Sequence, residues 1–179
     1  MVETNDRRLP VGIQSFEEIR EQGCLYVDKT DIIWQLVNKG KKYNYLSRPR
    51  RFGKSVLVDT LESYFLGKKE LFEGLKIMQL ETEWVKHPVI RLDMSRAGAE
   101  PESIRSYLDY TFQEYESLYE IEVSNNSSLA TRLSEIVRIA HEQTGQQVVI
   151  LIDEYDSPLQ HSWKTPLYEK CTAIYRDVF

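Results

Sequence analysis

The sequence predicts an α/β fold in which parallel strands alternate with helices. Two short apolar segments, residues 87–94 and 148–153, are rich in the β-branched and aliphatic residues that favour strands. Each is followed or preceded by a longer segment with helical periodicity, and this alternation is typical of parallel α/β sheets. The chain has 179 residues, of which 41% are hydrophobic, so it is long enough for a domain with a sizeable core.

The N-terminal part predicts two helices. Ser15 and Glu18 have the spacing of a capping box, and Gly23 is suited to end the helix that they begin. Asp28 or Thr30 caps a second helix, which Gly40 closes. We therefore expect residues 1–41 to form an N-terminal helical segment.

The next part predicts a strand and then a helix. Residues 42–47 have the aromatic and polar alternation of a strand. Between Lys54 and Leu66, the side chains of Leu57, Leu61 and Tyr64 share one helical face.

The C-terminal half continues the alternation. After the strand at 87–94, Pro101 suits the first turn of a long helix, and a further amphipathic helix from Leu129 stops at Gly145. The run at 148–153 is typical of a strand that is buried on both faces. Thr165 and Pro166 open a last helix, which we expect to reach the end of the chain.

A Gly-Lys-Ser tripeptide stands between the strand at 42–47 and the helix after it. The phosphate-binding loop of many nucleotide-binding proteins has the pattern Gly, four residues, Gly-Lys-Ser/Thr in this context. Gly53, Lys54 and Ser55 occupy its last three positions, whereas Arg48 stands at the first glycine position. The alternative is a basic turn that leads into a surface helix.

The loop contains the chemistry that nucleotide binding needs. Backbone N–H groups at a helix N-terminus point towards an anion, Lys54 would reach the β- and γ-phosphates, and Ser55 would ligate Mg²⁺. The neighbouring arginines add positive potential. The candidate cofactor-binding residues are Arg50, Arg51, Phe52, Gly53, Lys54, Ser55 and Val56.

Two adjacent carboxylates end the apolar strand at 148–153. Asp153 would hold the Mg²⁺, directly or through water, and Glu154 would act as the general base that polarises the attacking water. A buried strand that ends in two acids requires a compensating group, because an unpaired buried charge is costly. The alternative is a strand that ends in solvent-exposed acids.

Four stretches together resemble the bacterial AAA-ATPase-like family, a group of P-loop NTPases. They are YVDKT from Tyr26, LSRPRRFGKS from Leu46, ELFEGLKI from Glu70 and LIDEYDSPL from Leu151. The family carries arginine at the position of Arg48, so the resemblance identifies the loop as a variant phosphate-binding loop. It implies an α/β P-loop NTPase (AAA-like) fold, with a parallel sheet flanked by helices, and it implies ATP and Mg²⁺ as cofactors.

The resemblance also implies what lies around this segment. Residues 42–179 would form the P-loop NTPase core, and members of the family continue past the position of Phe179 with another strand, so we expect the sheet to be incomplete at the C-terminus. Members often carry a C-terminal nuclease-like domain of the PD-(D/E)xK type. Contact with nucleic acid is expected only through such a domain.

Two functions remain open at this point. One is an ATPase module of a larger bacterial protein, with Glu154 and Lys54 as catalytic residues. The alternative is a nucleotide-dependent interaction module that does not hydrolyse ATP, since Arg176 is the sole arginine after Asp153 that could act as an arginine finger.

The composition and the sequence signals limit the binding partners and the cellular compartment that we expect for this protein. A net charge of −5 argues against general affinity for nucleic acid. Cys24 and Cys171 have no metal or redox spacing, no secretory signal is visible, and no stretch reaches the length of a membrane helix. We expect a cytoplasmic protein whose partner is a nucleotide, with no membrane association; a homo-oligomer is left open.

Overall fold

A computed structural model describes residues 8–47, 52–122 and 127–179. The chain divides into two compact units, Met1–Lys86 and His87–Phe179. Each unit is described by itself, and the predicted division between residues 41 and 42 stays a prediction. Within the described ranges, no helix has both the length and the apolar character to cross a membrane.

The first unit is helical. Its helices are α1 (Phe16–Glu21), α2 (Thr30–Lys39) and α3 (Lys54–Phe65), with 3₁₀ turns at Lys69–Phe72 and Lys76–Gln79. The predicted cap is present, because the Ser15 hydroxyl accepts a hydrogen bond from the Glu18 N–H. Gly23, with a φ of 62°, follows the end of α1 as expected.

Aromatic rings form the core of the first unit. Phe16 and Phe72 are fully buried, and their ring centroids lie 4.9 Å apart. The rings of Tyr64 and Trp84 pack against Phe72. The Asp59 carboxylate on α3 accepts the Phe16 N–H at 2.5 Å, which joins the start of α1 to α3.

Residues 42–47 do not form the predicted strand. This stretch has no ladder partner, and Tyr43 and Tyr45 are 82% and 77% exposed. A strand requires a neighbour for its backbone hydrogen bonds, and among the described residues both strands belong to the second unit. The aromatic pattern favours a strand locally, but the described residues of the first unit contain no strand to pair with it.

The second unit contains the sheet. β1 (Val89–Asp93) and β2 (Val149–Asp153) are parallel, in a register that pairs Val89 with Val149 and Asp93 with Asp153. Its helices are α4 (Pro101–Leu118), α5 (Leu129–Thr144), α6 (Ser157–Ser162) and α7 (Tyr168–Val178), and a 3₁₀ turn spans Met94–Arg96. The α/β class is therefore confirmed, with a small parallel sheet flanked by helices.

The predicted helix boundaries in this unit are close to those observed. Pro101 occupies the first turn of α4, and α5 ends at Gly145, whose φ is 68°. The last helix differs from the prediction, because α6 precedes it and α7 begins only at Tyr168. The fully buried core side chains that these elements bring together are Ile90, Leu92, Ile104, Leu108, Phe112, Ile136 and Cys171.

The two strands have different outer edges. On β1, the Arg91 N–H donates to the Tyr115 hydroxyl at 2.7 Å and the Asp93 N–H donates to the Tyr107 hydroxyl at 2.8 Å. Both tyrosines lie on α4, so this helix satisfies the backbone groups that a further strand would otherwise bind.

β2 is not buried on both faces as predicted. Ile150 is 40% exposed, and the neighbouring strand residues are only partly buried. Within the described residues, β2 has a strand neighbour on one side only. Its continuous apolar run is therefore that of an edge strand, with only Asp153 at its end buried.

Candidate functional site

The first half of the predicted site lies at the start of α3. Gly53 has a φ of 71° and is followed directly by Lys54, the first residue of the helix. The first turn holds no acidic side chain, and among the described residues no side chain caps it. Within its own first turn, α3 therefore has no acidic side chain to neutralise the positive end of the helix dipole.

The glycine at position 53 has a conformational role. A φ of 71° is in the left-handed region, which glycine adopts without the clash that a Cβ causes. A Cβ built at Gly53 would meet no atom within 4 Å. The requirement for glycine here comes from the backbone turn into α3 and not from crowding.

The structure describes some of the other residues of the predicted loop. Phe52 is largely exposed, and Lys54, Ser55 and Val56 are half-buried. Arg50 and Arg51, like Arg48, lie outside the described residues, so their predicted contribution to the phosphate site stays a prediction.

The second half of the predicted site lies at the end of β2. Asp153 is 6% exposed, and one of its carboxylate oxygens accepts the Glu154 N–H at 2.9 Å. Glu154 has a φ of 47°, which is unusual for a residue with a side chain. This left-handed turn separates the directions of the two adjacent residues, so that one is buried and the other half-buried.

A third carboxylate ends the neighbouring strand. The register places Asp93 beside Asp153 at the carboxyl end of the sheet, where ligands bind in open parallel sheets. The Asp93 carboxylate accepts both the N–H and the hydroxyl of Ser95, at 3.1 and 2.6 Å. Asp93 therefore caps the turn that follows β1.

The donor set fits Mg²⁺ better than a metal held by protein alone. Within the described ranges, no group of three His, Cys, Asp or Glu side chains could hold a metal ion. Mg²⁺ usually keeps several waters and binds one or two carboxylates together with substrate phosphates. Asp153, buried at the end of a strand, has the chemistry of such a ligand.

The predicted site residues fall in both compact units. Gly53, Lys54 and Ser55 belong to the first unit, and Asp153 and Glu154 belong to the second. Their convergence on one nucleotide stays a prediction.

Sequence reasoning missed the aromatic packing next to the acidic pair. The ring of Tyr155 meets that of Tyr175 edge-on at 5.1 Å, and Phe179 lies against both rings. The spacing of four residues between Tyr175 and Phe179 was the available signal, since such residues share one helical face.

Comparison with known proteins decides the family. The sequence model of the AAA-ATPase-like family, described as a predicted AAA-ATPase, matches residues 10–179. The chain belongs to this family. The predicted membership in this family is thereby confirmed for residues 10–179.

A curated relative extends the comparison. This AAA-ATPase-like chain is 37% identical over 163 residues to an "Uncharacterized protein in vnfD 5'region" from Azotobacter chroococcum mcd 1. The match covers 89% of this chain and 31% of the relative, so the chain spans about a third of the length of the curated relative it matches. No solved structure matches the chain.

Proposed function

We propose that this chain is an ATP–Mg²⁺-binding module that hydrolyses ATP as part of a larger bacterial AAA-like ATPase with a P-loop NTPase fold. The observation that carries the proposal is the left-handed Gly53 before α3, with Lys54 and Ser55 in a first turn that contains no acid. Membership in the AAA-ATPase-like family supports it.

Each candidate residue has a distinct part in this proposal. The N–H groups of the first turn of α3 bind phosphate oxygens, and Lys54 adds a positive charge beside them. Ser55 and Asp153 hold Mg²⁺, which when bound neutralises phosphate charge. Glu154 accepts the proton of the attacking water.

A second candidate function is a nucleotide-dependent interaction module that does not hydrolyse ATP. The observation that favours it is that the first turn of α3, with Lys54 and Ser55, is suited to hold a phosphate by itself, without a residue that activates water. In both cases we propose a cytoplasmic protein that contacts nucleic acid only through another domain of a longer protein. The light-scattering experiment in the Discussion tests whether the chain associates with itself.

A calorimetric titration with ATP and GTP, each with and without Mg²⁺, tests the binding proposal. Lys54→Ala should weaken binding of ATP–Mg²⁺ by about 100-fold, because charge-assisted hydrogen bonds contribute roughly 1.5–3 kcal/mol and each 1.4 kcal/mol is tenfold in affinity. Lys69→Ala, at an exposed lysine of the same unit, removes an equal charge and should leave the affinity unchanged. Equal affinity in the wild type and Lys54→Ala would refute the phosphate-loop assignment.

Turnover measurements separate the two candidate functions. Glu154→Gln should keep ATP binding and abolish hydrolysis, because an amide cannot accept the proton. Asp153→Asn should weaken the Mg²⁺-dependent part of binding. A wild type that binds ATP and never hydrolyses it would favour the interaction module, and full turnover by Glu154→Gln would remove Glu154 from the proposed role.

A further inference from the structure

The hydroxyl of Tyr175 on α7 is buried without a hydrogen-bond partner among the described residues. The residue is only 4% exposed, and burial raises the pKa of the hydroxyl, with Tyr155, Cys171 and Asp156 raising it further. Buried polar groups in proteins are nearly always paired, so an orphan hydroxyl needs an explanation.

Tyr175 lies directly against the segment that carries the acidic pair. Its ring meets that of Tyr155 at 5.1 Å and at right angles, and Tyr155 is the residue after Glu154. We use the name acidic turn for residues 153–156. Asp156, the last residue of this turn, is among the groups that raise the pKa of Tyr175, and one of its carboxylate oxygens accepts a hydrogen bond from the side-chain amide of Gln160.

The acidic turn itself is strained. Glu154 has a φ of 47°, a conformation that is unfavourable for a residue with a Cβ. Two backbone interactions hold it there: the Glu154 N–H donates to the Asp153 carboxylate, and the Ser157 N–H donates to the Glu154 carbonyl, both at 2.9 Å. Strain of this kind persists where the surroundings impose it, and it is concentrated at functional sites.

Two unfavourable features therefore lie on either side of Tyr155: the strained Glu154 precedes it in the chain, and the ring of Tyr175, whose hydroxyl has no partner among the described residues, packs against its ring. We propose that Tyr175 is a positioning residue whose hydroxyl donates to the Asp156 carboxylate in the nucleotide-bound state, and so fixes the turn that carries Glu154. The inference rests on the proposed function, because the bound state is that of ATP–Mg²⁺. A ligand shifts the turn by binding one of its conformations more tightly, and the new hydrogen bond lowers the free-energy cost of reaching that conformation.

Tyr175→Phe removes the hydroxyl and keeps the ring packing, so it tests this inference. In the free protein, the variant should be at least as stable as the wild type in denaturant unfolding, since it loses an atom that has no partner. Its affinity for ATP–Mg²⁺ in calorimetry should fall about tenfold, the effect of one hydrogen bond to a charged acceptor. Tyr168→Phe, which alters a half-buried tyrosine on the same helix, should change neither quantity.

The possible results are distinguishable. If the wild type binds ATP–Mg²⁺ and Tyr175→Phe binds it equally well, the positioning role is refuted while the proposed function stands. A free Tyr175→Phe protein that is less stable than the wild type would also refute the role, because its hydroxyl would then already be paired. If the wild type shows no binding of ATP–Mg²⁺, the proposed function fails and the role of Tyr175 fails with it.

Discussion

Two residues of the candidate site adopt left-handed backbone conformations, and they differ in what this costs. Gly53 adopts a φ of 71° at little cost, because it has no Cβ that would clash with the backbone. Glu154 reaches 47° with a full side chain, at a cost of roughly 1–2 kcal/mol. A glycine would suit the backbone at position 154, so the carboxylate is retained against the local conformational preference, in agreement with the proposed chemical role.

Glu154→Gly should stabilise the protein by about 1 kcal/mol and abolish ATP hydrolysis, because it removes the backbone strain together with the proposed base. Denaturant unfolding and a turnover assay measure the two effects. Glu120 also has a positive φ, of 54°, and is exposed. Glu120→Gly is therefore the matched control, with a similar gain in stability and unchanged hydrolysis. A lower unfolding free energy for Glu154→Gly than for the wild type would contradict the backbone strain that we assign to Glu154.

Asp28 joins the start of α2 to the 3₁₀ turn at Lys76–Gln79. Its carboxylate accepts the N–H and hydroxyl of Thr30, at 2.9 and 2.7 Å, and the N–H of Lys76 at 2.8 Å. Burial acts to raise the pKa of this carboxyl, but the hydrogen bonds from Thr30 and Lys76 outweigh it, so the pKa lies below its usual value.

A lowered folded-state pKa means that Asp28 stabilises the fold above the pKa of the unfolded chain, about 3.9, and that this contribution is lost as the pH falls through the folded-state pKa. Asp28→Asn should therefore be less stable than the wild type near neutral pH, with the difference shrinking below about pH 4. Unfolding free energies across this pH range test it. Asp177→Asn, at an exposed position, serves as the control, and a difference that is constant with pH would be evidence against the mechanism.

At the scale of elements, α4 replaces a strand neighbour for β1. Its hydroxyls from Tyr107 and Tyr115 bind alternate N–H groups of the strand. These tyrosines are eight residues apart, so they belong to the same row of residues spaced by four along one helix face. The helix thus both covers the core and terminates the sheet on this side.

Removing either hydroxyl should leave a strand N–H without its partner. We expect Tyr107→Phe and Tyr115→Phe each to cost about 1–3 kcal/mol of unfolding free energy. Amide hydrogen exchange should accelerate at Asp93 in the first variant and at Arg91 in the second. Tyr110→Phe, at a largely exposed tyrosine of the same helix, should change neither measurement. Unaltered exchange at both amides would show that the hydroxyls do not satisfy the strand edge.

At the scale of the molecule, an open strand edge and the overall charge together govern self-association. β2 has no strand on its outer side within the described residues, and Ile150 is exposed beside that edge. Unpaired edges promote association between chains. The net charge of −5 at neutral pH opposes it, but this repulsion vanishes near the isoelectric point of 5.3.

Light scattering should therefore show stronger association near pH 5.3 than near pH 7.5. Ile150→Lys should reduce association at both values, because a lysine at an edge disfavours pairing. Leu118→Lys adds the same charge at an exposed helix end and controls for the change in net charge. Equal effects of the two lysines would assign the association to charge or to general apolar exposure, not to the β2 edge.

The sequence by itself determined the family, the α/β class and most helix boundaries. These follow from local signals: the Ser15 cap, the glycines at positions 53 and 145, and apolar residues that recur with helical or strand periodicity. Each signal acts within a few residues along the chain, so it can be recognised without knowing what packs against it.

Tertiary structure decided the features that depend on distant partners. Among the described residues, 42–47 form no strand because the first unit contains no strand for them to pair with, and β2 is half-exposed because it has a strand on one side only. The hydrogen bonds from β1 to the tyrosine hydroxyls of α4 and the packing of Tyr155 on Tyr175 likewise depend on elements that are distant in sequence. Whether a backbone group finds a hydrogen-bond partner and whether a side chain is buried depend on these tertiary contacts. The local sequence therefore does not encode either property.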